Sequence, residues 1–447
     1  MSLQYPSIIE RNDTVQKKGH TQKYQPYFLK NYQKMPQIKR LSAQQRFDIE
    51  VVARVLPFRT NNYVVDELID WDHFETDPIY ILNFPQKNML KPQHYETIAN
   101  LLRSGTSDAE ILPVANKIRE ELDPHPAGQL TKNRPELNGE VLKGVQHKYR
   151  ETMLFFPSQG QTCHAFCTFC FRWPQFTGIA DYKFAMSEIE PVIEYIRQHS
   201  DISDVLFTGG DPLFMKTKVL AGYIEALLEA DLPNLKTIRI GSKALAYWPY
   251  RFTTDDDADD LMMLFRKIVQ SGKHLAIMAH FNHHRELETT EVKRAINRIL
   301  KTGAQIRTQS PVMKNINDDP KVWATMWQRQ VEMGLVPYYM FIARNTGAQH
   351  YFSISLERAW KIFREAYQTV SGIARTVRGP VMSCYPGKVQ VLGVDEIAGE
   401  KVYMLRSIQN RNPDNVLRPF FAKYDPEAVW YDQLVPAFGE DKFFVED

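Results

Sequence analysis

Eight residues, Cys163-His164-Ala165-Phe166-Cys167-Thr168-Phe169-Cys170, gather three of the chain's four cysteines at the spacing C-x3-C-x2-C. Thiolates so spaced on one loop can wrap a corner of a cubane and hold three of the four irons of a [4Fe–4S] cluster. The fourth iron then stays open to a small molecule, which turns an electron carrier into a reaction centre. Two other arrangements use the same residues. With His164 the three cysteines match the mixed ligand sets of structural zinc. Alternatively, Cys384 could complete a four-cysteine cluster that only carries electrons.

The remaining composition narrows the setting. Four cysteines in 447 residues are too few for a disulfide framework, so a cytoplasmic compartment is expected, where thiolate-bound clusters survive. Hydrophobic residues at 43% and charged residues at 24% describe a globular chain with a large core. A formal net charge of +2 gives no nucleic-acid or membrane signal. No stretch nears the ~20 apolar residues that cross a bilayer. Met1 to Gln25 is polar and lacks the apolar region of a secretory signal.

The elements that must position the loop follow from periodicity. Residues 1–140 read as a mainly helical N-terminal region without identifiable chemistry. It has helices over Gln45 to Val55, His94 to Arg103, and from the N-cap Ser107 to Glu121. Pro113 is expected to bend or delay the last of these. Asp77-Pro78 and Pro85 mark an extended stretch, and Asp123 to Lys143 a linker. Residues 141–370 alternate short apolar runs with amphipathic helices. The strands begin at Thr152, Asp204, Thr237, His274, Gln305 and Pro337. Six βα units in series predict an α/β fold with a parallel sheet, either doubly wound or curled as an open barrel. Residues 371–447 form a C-terminal segment, in which Pro386-Gly387 fits a type II turn before the strand Val389 to Leu392.

Polar loops follow the strands: Gly209-Gly210-Asp211-Pro212, Gly241-Ser242, His280-Phe281-Asn282 and Gln309-Ser310. In barrel-like α/β folds this end of the strands carries the active site, and the cysteine loop lies there too. The glycines allow close backbone approach to a ligand, or simply a tight turn. His280, His283 and His284 lack the acidic partner expected of a metal site. Asp255 to Asp260 reads as a solvated helix start. Arg172, two residues past the last cysteine, can grip a carboxylate or form a surface ion pair. Lys388 can be a turn lysine or an imine-forming lysine at a strand start.

Cysteine loop, six βα units and Gly-Gly-Asp-Pro together resemble the radical S-adenosylmethionine superfamily, and within it the lysine 2,3-aminomutase family. The matching stretches run from His147-Lys148-Tyr149-Arg150 through Leu206 to Leu213, Ile238 to Ser242, His280 to His283, Asn317-Asp318 and Pro337-Tyr338-Tyr339 to Pro380-Val381-Met382 and Lys388. The resemblance implies an open (βα)6 partial TIM-type barrel. Cys163, Cys167 and Cys170 would bind the cluster, whose electron cleaves S-adenosylmethionine to a 5′-deoxyadenosyl radical. Gly209, Gly210, Asp211, Ser242, His280, Asn282 and Gln309 would line the S-adenosyl-L-methionine pocket. Lys388 would hold pyridoxal 5′-phosphate, with Lys148 and Tyr149 on its phosphate and Arg172 on the substrate α-carboxylate. It also implies 2,3-amino migration on an amino acid, a flavodoxin- or ferredoxin-type reductant and a homo-oligomer. A radical enzyme without pyridoxal phosphate and a non-catalytic iron–sulfur carrier are the other functions the residues allow.

The departures from the family concern the substrate. Lysine-specific members carry an aspartate after the Pro-Tyr-Tyr strand and another before Pro-Val-Met. Here these regions read Ile342-Ala343-Arg344-Asn345 and Ile373-Ala374-Arg375-Thr376-Val377-Arg378. A lysine ammonium buried against arginines costs several kcal/mol. A neutral or acidic side chain is therefore expected, glutamate among the candidates, with Arg344 as a substrate residue. Thr152 stands where relatives have a second phosphate-binding arginine, and Arg150 is expected to compensate from the same face of the strand. No cysteine follows Cys384, so the C-terminal zinc site of several relatives is missing.

Overall fold

The computed structural model of the chain describes residues 22–128, 131–385 and 387–446. Its largest element is an eleven-stranded sheet. In chain order the strands are β1 Val145–Tyr149, β2 Thr152–Phe155, β3 Asp204–Phe207, β4 Thr237–Ser242, β5 His274–His280, β6 Gln305–Val312, β7 Val336–Ile342, β8 Arg378–Met382, β9 Gly387–Ile397, β10 Glu400–Asn410 and β11 Pro419–Lys423. β2 to β8 run parallel. β1 and β9 to β11 pair antiparallel at the two ends. Helices α1 Glu190–Gln198, α2 Thr217–Glu229, α3 Ala258–Gln270, α4 Thr290–Leu300, α5 Pro320–Glu332 and α6 Leu356–Thr369 fill the crossovers between the parallel strands. The expected βα units are present, and β8 to β11 continue the same sheet.

Strand order in space follows strand order in sequence without a reversal. That separates the two layouts left open above, because a doubly wound sheet reverses its order partway. Right-handed crossovers that always step the same way leave every helix on one face. β4 turns Ile238, Ile240 and Ser242 into the packed interior and leaves Thr237, Arg239 and Gly241 half-buried. The helix-free face can be covered only if the sheet curls. β1 and β9 lie eight places apart in the order, roughly 38 Å in a flat sheet at about 4.8 Å per strand. Yet Lys388 Nζ of β9 sits 4.1 Å from the ring centre of Tyr149 on β1. Arg411, just past β10, donates to His147 O at 2.7 Å. The two ends of the sheet therefore come together.

The N-terminal region shares the core of the sheet: buried apolar side chains from Tyr27 to Val445 form one cluster. Its helices fall at Ala43–Val52, Pro92–Arg103 and Asp108–Glu121. Pro113 does not delay the last one, because Ser107 and Glu110 form a capping box that starts it at Asp108. The stretch expected to be extended at Asp77-Pro78 is instead the helix Pro78–Asn83. Asp77 Oδ1 accepts from Ile79 N at 2.7 Å and Tyr80 N at 2.8 Å, and Pro78 occupies a position that needs no N–H. The acidic run is not merely solvated. Asp255 accepts from Trp248 Nε1 at 3.0 Å and Asp257 from Thr217 N at 2.6 Å. Pro386, and with it the expected type II turn, lies outside the described residues, as does most of the polar N-terminal stretch. No helix among the described residues is long and apolar enough to cross a membrane.

Candidate active site

The cysteine loop leaves the end of β2 and is held from outside by the N-terminal region. Thr168 N donates to Leu82 O at 3.0 Å and its hydroxyl to Ile81 O at 2.7 Å. These carbonyls belong to the last turn of the helix Pro78–Asn83, where no intrahelical donor remains. Phe166 N donates to Arg59 O at 2.8 Å, and His164 O accepts from Tyr24 OH at 2.7 Å and Asn61 Nδ2 at 3.1 Å. All three cysteines are free. Burial pushes Cys167 up to about 11 and Cys170 to about 12, and holds Cys163 well above its usual value. Such sulfurs become thiolates when a bound metal supplies positive charge.

Glycine is required at two positions beside this loop. Gly209 has φ +132°, and a Cβ on Gly210 would strike the backbone of Thr162. Asp211 N donates to Thr162 O at 2.7 Å. The Asp211 carboxylate accepts from Ser242 Oγ and Lys243 N at 2.9 Å and from Leu213 N at 3.0 Å, and burial lifts it to about 6. Asp211 and Ser242 therefore brace the rim. Asn282 is occupied as well: it accepts from Lys243 Nζ and donates to Ser310 Oγ, both at 2.8 Å. His280 differs. Its ring stacks on Phe169 at 5.7 Å, burial first and Lys243 second push it down to about 3, and its buried Nδ1 has no partner. Gln309 pairs with His280 in the β5–β6 register and is half-buried.

Lysine and tyrosine residues from β1 and β9 meet where the ends of the sheet come together. Lys388 Nζ donates to Gln409 Oε1 at 2.5 Å and lies over the rings of Tyr149 and Tyr339, at 4.1 and 5.2 Å. Burial, then Lys148, Arg239 and Arg378, hold its amine well below the usual lysine value. Lys148 is pushed down to about 7 by burial and donates to Cys384 O. Cys384 thus sits at the lysine end, its Sγ facing Met382 O and Gly387 O at 3.9 Å. Arg150 does not compensate for Thr152. It lies in the turn after β1, not on an extended strand, and donates to Asp201 Oδ1 at 3.0 Å on the surface. Arg239 of β4 stands beside Thr152 instead, donating to Asp204 Oδ1 at 2.8 Å.

Two arginines occupy the space between. Arg172 is 6% exposed, its Nε and Nη1 have no partner, and it stacks on Phe156 at 4.2 Å and Phe171 at 5.2 Å. Arg344 lies over Phe171 at 5.1 Å with a buried, unpartnered Nε. Burial comes first and Arg344 second in pushing Arg172 down to about 9. Asp123 is the acid that acts on Arg344, without ion-pair contact. Arg375 turns away, donating to Val370 O at 3.0 Å, whereas Arg378 lies over Tyr338 and Tyr339 at 4.3 Å near Lys388.

The donors fit the groups expected of them. Among the described residues no three His, Cys, Asp or Glu side chains gather as a single metal ion requires. His164 packs its ring on Tyr24 and Phe214. A cubane needs only one thiolate per iron, and the loop offers three. The vacant Nδ1 of His280 suits a polar cofactor edge. The cluster of cations around Lys388 suits a phosphate dianion, and the free Arg172 N–H groups a carboxylate. Sequence reading missed Arg59, Lys243 with Glu286, and Arg239, and it placed Arg378 on the substrate side rather than beside Lys388. Of the missed residues Arg239 alone left a trace, as the single charge in the apolar run Ile238-Arg239-Ile240.

No family model matches the chain. It is 32% identical over 405 residues to an inferred L-lysine 2,3-aminomutase of Aquifex aeolicus, covering 91% of this chain and 95% of that one. The L-lysine 2,3-aminomutase of Escherichia coli is 27% identical over 244 residues, 54% of this chain and 67% of that one. The glutamate 2,3-aminomutase of Clostridioides difficile is 26% identical over 262 residues, 57% and 55%. A radical SAM methyltransferase structure from Sphaerobacter thermophilus covers 66% of this chain and 94% of its own at 12% identity, but its TM-score of 0.35 carries no argument.

Proposed function

Because the chain belongs to the lysine 2,3-aminomutase family of radical S-adenosylmethionine enzymes, we propose that it moves the 2-amino group of an acidic α-amino acid to carbon 3, with pyridoxal 5′-phosphate bound at Lys388. The observation that carries this reading is the pair Arg172 and Arg344, both against the ring of Phe171 with buried N–H groups that no acid among the described residues takes. Two such charges call for two carboxylates, the α-carboxylate at Arg172 and the side-chain carboxylate at Arg344. A lysine ammonium at Arg344 would face a like charge out of reach of water.

When bound, the cluster with S-adenosylmethionine would supply a radical initiator, and pyridoxal phosphate would supply an aldehyde able to carry the migrating nitrogen. The chain's own residues bind and orient. Cys163, Cys167 and Cys170 hold the cluster. Gly209 and Gly210 let the rim close on Gln161 and Thr162, directly before Cys163, beside the S-adenosylmethionine pocket, while Asp211, Ser242 and Asn282 fix the rim. His280 presents a neutral ring with a free nitrogen. Lys148 and Tyr149 meet the phosphate, and Lys388, neutral when buried, is ready to act as a nucleophile. The single-order curled sheet reads as an open (βα)6 barrel, its hollow shielding the radical from solvent. A low-potential flavodoxin- or ferredoxin-type donor supplies the electron.

The test is anaerobic reconstitution with iron, sulfide, S-adenosylmethionine and pyridoxal phosphate, followed by a panel of free amino acids. We expect 5′-deoxyadenosine and a β-amino acid from glutamate or another acidic substrate. Efficient turnover of lysine would sink the substrate assignment. A protein that never develops a visible band bleached by borohydride would sink pyridoxal phosphate.

A further inference from the structure

Three cations stand beside the cysteine loop, and they have different fates. Lys243 lies over the ring of Tyr247 at 4.3 Å, whose hydroxyl faces Cys167 Sγ at 3.7 Å, and it is neutralised by Glu286 at 2.6 Å. Arg172, two residues past Cys170, is committed, in the proposed reaction, to the substrate carboxylate. Arg59 reaches the start of the loop and forms no ion pair among the described residues. It is 8% exposed. Four rings enclose its guanidinium, Phe214 at 5.0 Å, Phe28 at 5.1 Å, Phe166 at 5.8 Å and Tyr24 at 5.9 Å. Nη1 donates to Thr162 Oγ1 at 2.7 Å, directly before Cys163, and Nη2 to Tyr24 OH at 3.0 Å, while the buried Nε has no partner. Its own carbonyl holds Phe166, directly before Cys167. The surrounding rings accept a cation but do not cancel its charge.

We infer that Arg59 is a positioning residue for the reductive step: it locks the cysteine loop at Thr162 and Phe166 and serves as the standing counter-cation of the reduced cluster. This rests on the reading of Cys163, Cys167 and Cys170 as cluster ligands. Reduction adds one electron from an external one-electron donor, and three thiolates already surround the site with negative charge. A desolvated cation that no acid neutralises favours the added electron. A role for the N-terminal region follows, since Arg59 and Tyr24 both belong to it.

The experiment compares wild type, Arg59→Gln and Arg59→Lys after reconstitution, by iron content, the low-temperature spin signal of the reduced cluster and its midpoint potential under dithionite titration. Arg59→Gln is expected to bind iron fully but to be about tenfold less reduced at a fixed potential, a negative shift of about 59 mV for one electron. Arg59→Lys keeps the charge and stays close to wild type. An unchanged midpoint in Arg59→Gln with full iron overturns the inference. If Arg59→Gln loses its iron, Arg59→Lys decides: retained iron and potential support the charge role, and loss from both variants leaves packing alone and overturns it. Wild-type protein that takes up no iron fails the cluster reading itself and the inference with it.

Discussion

The cysteine end and the lysine end of the site are built on opposite plans. The cysteine end is one contiguous loop of eight residues, clamped by hydrogen bonds to the carbonyls of Ile81, Leu82 and Arg59. The lysine end has no loop of its own. Lys148 and Tyr149 come from the first strand of the sheet, Lys388 and Gln409 from β9 and β10, and Arg239 from β4 between them. The first end makes a rigid nest of neutral sulfurs. The second concentrates cations, of which only Arg239 has a carboxylate, Asp204, within an ion-pair distance among the described residues. A metal cluster needs shaped donors whose charge it neutralises itself. A phosphorylated cofactor needs excess positive charge waiting for it.

If that contrast holds, each end can be emptied without the other. The largest effect belongs to Cys163→Ala, which should take reconstituted iron to background while pyridoxal phosphate still binds. Cys384→Ala should keep its iron, because Cys384 lies with Lys148; cluster loss on that substitution alone would favour an electron carrier and break the comparison. Lys388→Ala should abolish the borohydride-sensitive band and turnover but leave iron content intact. Between the two ends, Arg344→Gln should remove one charged hydrogen bond to substrate, about 2–3 kcal/mol or roughly 30- to 160-fold in kcat/KM for the acidic substrate. Equal loss for a neutral amino acid would remove Arg344 from substrate recognition.

The lysine end also has a pH signature. Burial lowers Lys148 to about 7 in the folded protein, below its value in the unfolded chain. Between these values the unfolded chain holds more protons, so cofactor-free protein should gain stability as pH rises through that window. Phosphate prefers the protonated amine. Affinity for pyridoxamine 5′-phosphate, followed by calorimetry, should therefore fall about tenfold per unit above pH ~7, and Lys148→Met should flatten the profile. The smallest effect is assigned to Arg150→Ala, which should leave both phosphate affinity and thermal midpoint where they are, since Arg150 pairs with Asp201 in solvent.

The same contrast explains what could be read from sequence. The cysteine loop and the six βα units were legible because spacing and periodicity are local properties. Arg59 was not: it lies on a short strand paired with Pro26–Phe28, and only folding places it beside Thr162. The helix at Asp77 was hidden by Pro78, which signals a break in most contexts and a helix start after a capping aspartate. β1 escaped because Gln146, His147 and Lys148 interrupt any apolar alternation: Lys148 turns to the cofactor end, and His147 turns the other way, to the Tyr195 hydroxyl of α1 at 2.9 Å. Arg150 misled because two residues apart means one face only on an extended strand, and the chain turns there.

The hydrogen bond from Lys148 to Cys384 joins residues 236 positions apart, and this gives the molecule a calendar. A ribosome adding about 5–20 residues per second has exposed Arg59 and the whole cysteine loop roughly 10–40 s before it reaches Lys388. Iron delivery and cofactor capture are thus separable events in the biosynthesis of each copy. A messenger truncated between the two would yield a chain with the ligands for iron and no means of using it.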